Sequence, residues 1–179
     1  MRIIAGRWRG RLLVAPRGDA TRPTADRVRE ALFSMLASRL GSFEGLAVAD
    51  MFAGSGALGL EALSRDAATC MFVEQDGAAL DALRGNLAAL GATGDVRAQS
   101  VMALGPATRP LDLILMDPPY GTGAASVALD KLLRLGWVSP GTWISVETRQ
   151  DEPVRATGFA IDVERVHGKA RITLLRPRD

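Results

Sequence analysis

A short apolar run, Leu46-Ala47-Val48-Ala49, leads into Asp50-Met51-Phe52-Ala53-Gly54-Ser55-Gly56-Ala57-Leu58-Gly59-Leu60, and this junction constrains the chain more than any other stretch. The apolar run has the length of one buried strand. The three glycines that follow allow a tight turn, and Leu60, Ala62 and Leu63 then recur at helical spacing with Glu61 on another face. Strand, glycine turn and helix in that order bring backbone N–H groups at a helix start against a ligand. Gly54-Ser55-Gly56-Ala57-Leu58-Gly59 spells the G-x-G-x-x-G dinucleotide fingerprint, a weak signal taken alone.

Strand and helix keep alternating downstream. Thr69 to Val73 reads as a second strand ending at Glu74-Gln75-Asp76, a helix starts at Asp76-Gly77 and stops at Gly91, and a weaker strand runs near Asp95 to Gln99. Leu111 to Met116 is the fourth strand, a helix covers about Ala124 to Leu135, and Thr142 to Val146 is the fifth strand. Phe159 to Val166 and Ala170 to Leu175 alternate on either side of Gly168, as an antiparallel hairpin does. The expected fold is α/β: a doubly wound, mainly parallel sheet with an antiparallel C-terminal hairpin and a small N-terminal β-hairpin arm. Ligands of such sheets bind at the carboxyl ends of the strands. Asp50, Glu74 and Asp117 each stand at such an end.

The 179 residues make one domain of ordinary size, and 47% apolar with 23% charged content is that of a soluble globular chain. No apolar run approaches the roughly 18 residues of a membrane span, and the first residues lack a signal peptide's apolar centre. The single cysteine, Cys70, excludes an internal disulfide and reads as buried packing; one histidine argues against a His/Cys metal site. A cytoplasmic, monomeric protein without a metal is expected.

Net charge is only +2, but the first thirty residues carry Arg2, Arg7, Arg9, Arg11, Arg17, Arg22, Arg27 and Arg29 against Asp19, Asp26 and Glu30. That density predicts a local anionic partner. Arg2 to Gly6 and Arg11 to Val14 read as two short strands. In an extended segment Arg7, Arg9 and Arg11 would share one side with Trp8 on the other, a pattern suited to phosphates and stacked bases; a solvated hairpin is the plainer alternative. A helix then starts around Arg22-Pro23-Thr24, with Thr24 as N-cap and Val28, Ala31, Leu32, Met35 and Leu36 as its buried stripe. Arg22, Arg27 and Arg29 would extend the basic surface, unless Arg29 and Glu30 are simply solvated.

The carboxylates choose between ligands. An NAD pyrophosphate over the glycine loop would make Asp50 an odd neighbour, whereas S-adenosylmethionine carries an ammonium, a sulfonium and a ribose diol. Asp50 suits the cationic end, directly or through water, or else caps the helix. Glu74 suits the ribose hydroxyls of either cofactor. Asp117-Pro118-Pro119-Tyr120 carries the chemistry. Its two prolines force a stiff extended turn that frees carbonyls for a ligand. Asp117 and the Pro118 carbonyl can accept from the flat amine of a nucleobase, favouring a pyramidal nitrogen, and the carboxylate stabilises the positive charge that develops. Tyr120 offers a face for a base held out of its helix.

Asp50-x-Phe52-Ala53-Gly54-Ser55-Gly56 together with Asp117-Pro118-Pro119-Tyr120 resembles the Rossmann-like class I methyltransferases that act on exocyclic amines. Arg2-Ile3-Ile4-Ala5-Gly6-x-Trp8-Arg9-Gly10-Arg11, Arg22-Pro23-Thr24-x-Asp26-Arg27-Val28-Arg29-Glu30 and Gly59-Leu60-Glu61-Ala62-Leu63-Ser64-Arg65 narrow the resemblance to the RsmD family. It implies methyl transfer from S-adenosylmethionine to the N2 amine of one guanine in small-subunit (16S) ribosomal RNA, within an assembling subunit. It also implies a basic arm over residues 1–22 and a methyltransferase domain over 23–179. The implied catalytic turn is Asp117, Pro118, Pro119 and Tyr120. The implied cofactor site is Asp50, Phe52, Ala53, Gly54, Gly56, Glu74, Gln75, Met102 and Asp117, with Val101-Met102 where the family offers a polar side chain near the adenine. RNA contacts would fall on Arg7, Trp8, Arg9, Arg11, Arg22 and Arg27. An adenine or cytosine methyltransferase of DNA, a non-catalytic ribosomal RNA-binding assembly factor and an NAD oxidoreductase are the rival readings.

Overall fold

The computed structural model describes residues 1–16 and 23–179, without the side chains of Pro23 and Thr24. Seven strands form one sheet in the order β3-β2-β1-β4-β5-β7-β6. They are β1 (Ala47–Met51), β2 (Thr69–Glu74), β3 (Asp95–Ala98), β4 (Leu113–Met116), β5 (Trp143–Arg149), β6 (Phe159–His167) and β7 (Ala170–Pro177). The first five run parallel, and β7 pairs antiparallel with both β5 and β6. Among the described residues, α1 (Pro23–Leu40) precedes β1, and α2 (Ala57–Ser64), α3 (Gly77–Leu90) and α4 (Ala124–Arg134) connect parallel strands.

Parallel strands covered on both faces must be apolar on both, and the strands here are. Val48, Phe72, Leu113 and Leu115 pack toward α1, α2 and α3; Ala49, Val73, Ile114 and Met116 pack toward Ala125, Ala128 and Leu129 of α4. The helix boundaries follow local chemistry. Asp76 caps α3 by accepting from the Ala79 N–H at 2.9 Å, and Gly91, at φ 62°, ends it. β1 leads to β2 on one side and pairs with β4 on the other, so the topological switch point of the sheet lies between Asp50 and Asp117.

The N-terminal segment differs from the expected two-stranded arm. It keeps a single Arg2–Leu12 bridge, because Gly6 and Gly10 turn the chain back through bonds from Arg9 N to Gly6 O (3.2 Å) and Arg11 N to Trp8 O (3.0 Å). The alternation of Arg7, Arg9 and Arg11 about Trp8 therefore fails, and the Arg7 guanidinium instead lies over the Trp8 ring. Gly6 sits at φ 85°, and a Cβ there would fall 1.8 Å from the Ser64 carbonyl oxygen, so only glycine permits this approach to α2. Ile3 and Leu13 join the main core.

α1 starts at Pro23, which places Thr24 inside its first turn rather than at the N-cap. Val28, Leu32, Phe33 and Leu36 are buried while Ala31 and Met35 are only partly so. Arg29, expected on the surface, is 4% exposed. Glu61, on another face from Leu60, Ala62 and Leu63, is nonetheless only 1% exposed, since α2 is enclosed by the sheet, α1 and the N-terminal segment. No helix among the described residues is long and apolar enough to cross a membrane.

Candidate active site

A cavity of about 860 Å³ opens at the carboxyl ends of the strands, over the switch point. The loop after β1 forms its floor. Phe52 holds φ 61°, rare for a side chain of its size and a form of strain that clusters at functional sites. Gly56, at φ 88°, starts α2, and a Cβ there would come 2.4 Å from Leu83 Cδ1. Asn86, a residue the sequence did not single out, fixes this loop to the N-terminal segment: its side-chain amide donates to Ser55 O and Val14 O and accepts from Val14 N.

The two oxygens of Asp50 have different surroundings. Oδ2 accepts from the Gly59 N–H at 2.8 Å, satisfying a free donor in the first turn of α2. Oδ1 is buried and has no partner among the described residues. Burial pushes the carboxyl well above its ordinary value, the Gly59 bond pulls it back, and nearby Glu74 pushes it up again. An unpaired buried acceptor in a cavity wall fits a cationic ligand group.

Glu74 ends β2 and organises the loop beside it. Its Oε2 accepts from Gly54 N at 2.7 Å, and Oε1 accepts from Gln75 N and Asp76 N, both at 2.9 Å. A carboxylate has about four acceptor positions, so hydroxyl groups of a ligand would share oxygens already held in place. Ala53 and Gln75 also line the cavity. Met102 does not: it packs against the core under α4, and Gln99, Ser100 and Val101 line the wall instead. The polar side chains near that wall thus precede Val101-Met102, where the chain leaves β3.

On the far side of the switch point Asp117 follows β4, open to the cavity, with no hydrogen bond from any described residue. Crowding by surrounding protein raises its carboxyl well above the ordinary value, and Glu147 and Asp50 add to that. Pro118 is buried; Pro119 O accepts from the Thr122 hydroxyl at 2.9 Å, and Glu152 accepts from Gly121 N at 2.9 Å, so the turn is tied down beyond Asp117 and Pro118. Tyr120 remains 44% exposed at the cavity, its hydroxyl donating to Glu147 Oε1 at 3.2 Å. Burial, then Glu147, raises the Tyr120 phenol, and burial raises Glu147 while the Tyr120 bond lowers it. Glu147 was missed in the sequence. The same rule that selected the other acids, a carboxylate following a buried run at a strand's carboxyl end, would have found it.

Among the described residues, the structure does not bring Arg7, Arg9, Arg11 or Arg27 to this cavity. Arg7 pairs with Asp66 at 3.0 Å and Arg11 donates to Ala89 O at 2.7 Å, beyond the last residue of α2 and near the end of α3. Those are the helix ends remote from the cavity, roughly 12 Å away along α2 alone. Arg9 and Arg27 are exposed, without an ion pair among the described residues. Arg22 lies outside the described residues. From the N-terminal segment and α1 the cavity receives Met1, Ala15, Pro16 and Ala25.

A seven-stranded sheet with its last pair antiparallel, a glycine loop at the switch point and acids at successive strand ends define a class I methyltransferase fold. The same fold appears in magnesium protoporphyrin IX methyltransferase from Synechocystis, solved with bound SAM, at 15% identity and a TM-score of 0.69 over 90% of this chain and 87% of that one. The family model described as conserved hypothetical protein 95 matches residues 1–176, and the chain belongs to that family, the RsmD family. Ribosomal RNA small subunit methyltransferase D of Escherichia coli is 38% identical over 178 residues, covering 97% of this chain and 88% of that protein. The solved structure of yhhF from Escherichia coli superposes with a TM-score of 0.86 at 37% identity, covering 99% of this chain and 98% of that one.

Proposed function

We propose that this chain transfers a methyl group from S-adenosylmethionine to the N2 amine of one guanine in small-subunit (16S) ribosomal RNA, acting on the assembling subunit. The observation that carries the reading is the unengaged Asp117 carboxylate, beside the Pro118 carbonyl, facing the same cavity as the glycine loop and the unpaired Asp50 oxygen. S-adenosylmethionine supplies an electrophilic methyl group on a positively charged sulfur. Asp50 would hold its ammonium, the backbone at Phe52, Ala53, Gly54 and Gly56 would flank its methionine portion, and Glu74 with Gln75 would meet its ribose. Asp117 and the Pro118 carbonyl accept from the two amine hydrogens, so the nitrogen lone pair turns out of the base plane toward the methyl carbon. As the C–N bond forms and the C–S bond breaks, Asp117 stabilises the charge on nitrogen and takes the proton it releases, directly or through water. Tyr120 supplies the stacking surface.

Ribosomal RNA from a strain lacking the protein should miss one N2-methylguanine in its small-subunit RNA by mass mapping; a full complement of N2-methylguanines would overturn the reading. Glu74→Ala should weaken S-adenosylhomocysteine binding by about 1–3 kcal/mol in calorimetry, the range of charge-assisted hydrogen bonds. An unchanged Kd in a variant folded by circular dichroism would remove Glu74 from the cofactor site.

RNA contact is assigned to Arg9, Arg27 and Arg22, with Arg7, Trp8 and Arg11 as the edge of an extended surface. Replacing Arg9 and Arg27 by Gln should weaken RNA binding at moderate salt and reduce the slope of log K against log salt by about two, one for each lost phosphate contact. Cofactor affinity should not change. An unaltered salt slope would make both arginines merely solvated.

A further inference from the structure

The catalytic turn leaves one question open, because an aspartate and a proline carbonyl accept equally well from the amines of guanine, adenine and cytosine. Glu147 answers it. The β4–β5 register pairs Met116 with Val146, so the next step sets Asp117 beside Glu147, and both line the cavity. Tyr120 donates its hydroxyl to Glu147 Oε1 at 3.2 Å, while Oε2 receives no hydrogen bond from a described residue. The cavity thus presents two neighbouring carboxylates at the rim of the ring on which a base would stack.

Resting on the methyl-transfer reading above, we propose that Glu147 selects guanine by accepting from its ring N1–H while Asp117 and the Pro118 carbonyl accept from its N2 amine. Guanine presents two donors side by side on its pairing edge, the N2 amine and N1–H. Adenine sets its amine beside the N1 lone pair, and cytosine sets its amine beside the N3 lone pair. A second carboxylate placed next to the first is matched by a donor and repelled by a lone pair. Burial raises both carboxyls, and Glu147 adds to the rise at Asp117; a donor edge offsets that loss of solvent and an acceptor edge does not. The Tyr120 hydroxyl then has a task apart from stacking: it fixes Glu147 in position.

The test is single-turnover methylation of small subunits assembled with guanine or 2-aminopurine at the target nucleotide, as found by mass mapping. 2-Aminopurine keeps the amine but carries a lone pair at N1. Wild-type protein should favour guanine by a factor on the order of 10² or more, because a site built around a hydrogen bond rejects an analogue that lacks the donor. In Glu147→Gln the amide can turn its NH₂ toward that lone pair, so the ratio should fall at least about tenfold. Tyr120→Phe should narrow it less, since the ring stays and only the hydroxyl that positions Glu147 is lost. If Glu147 merely supported Tyr120, both rates would drop by one factor and the ratio would stand; that result overturns the proposal. Should Glu147→Gln fail to bind S-adenosylhomocysteine, the Tyr120→Phe ratio decides, and an unchanged ratio there overturns it equally. Wild-type protein that methylates neither base removes the methyl-transfer reading itself, a failure distinct from an unmoved ratio.

Discussion

Asp117→Ala is expected to lower the single-turnover rate of methyl transfer by a factor on the order of 10²–10³, with a much smaller loss of RNA affinity. The asymmetry follows from when the charge appears. Positive charge on the target nitrogen develops only as the methyl group moves, whereas RNA binding is spread over phosphates and shape. Asp117 accepts no hydrogen bond from the described protein, so removing it frees no buried donor and should leave the fold intact. Asp117→Asn keeps an acceptor oxygen without the charge, and should retain part of the rate, which separates geometry from electrostatics. The pH profile carries the same information. Asp117 must be ionised to act, and its carboxyl is raised, so activity should fall with decreasing pH at values above the ordinary carboxylate range. A folded Asp117→Ala protein that transfers methyl at the wild-type rate would take Asp117 out of the mechanism.

The strand-end acids were readable in the sequence because each rule involved is local. An apolar run fixes a strand, a glycine cluster ends it, and an acid at that junction must lie at the carboxyl edge of a parallel sheet. Asp50, Glu74 and Asp117 all fall there, and Asp76 and Gly91 bound α3 as their residue types predict. Arg29 and Glu61 were illegible for the opposite reason. Each is a charged residue on a helix whose remaining pattern is ordinary, and only the long-range docking of the first sixteen residues encloses them. The misreading of the N-terminal segment has a similar origin: two glycines at positive φ convert an alternating sequence into turns, and alternation implies two sides only in extended chain. Glu147 directly follows the run read as the fifth strand, Thr142 to Val146, and was overlooked because no glycine turn or Asp-Pro-Pro-Tyr-like motif follows it to mark the edge.

That docking makes the second large prediction. Glu61 Oε2 accepts from Ile4 N at 2.9 Å, Oε1 accepts from Ala5 N at 3.0 Å and Arg65 Nε at 3.1 Å, and Arg29 Nε lies 3.9 Å from Oε2. Arg29 in turn donates to the Arg2 carbonyl and to Asp26 Oδ1, the latter at 3.2 Å. One carboxylate thus joins α2, α1 and the N-terminal segment where Glu61 and Arg29 are both nearly excluded from water. Glu61→Ala would strand two backbone donors and leave Arg29 short of its counter-charge. Removing one partner of a buried pair costs about 3–5 kcal/mol. For a domain of this size each kcal/mol moves Tm by roughly 2–4 °C, so the melt should shift down by on the order of 10 °C. Glu61→Gln keeps one acceptor but turns an NH₂ toward a donor, and should fall between. Because α2 begins at the glycine loop, cofactor affinity should weaken alongside stability, yet recover in the fraction still folded at low temperature. Thermal melts with and without S-adenosylhomocysteine measure both effects. A Glu61→Ala protein melting with the wild type would mean that Ile3 and Leu13 alone hold the segment in place, and that the ionic cluster adds nothing to its docking.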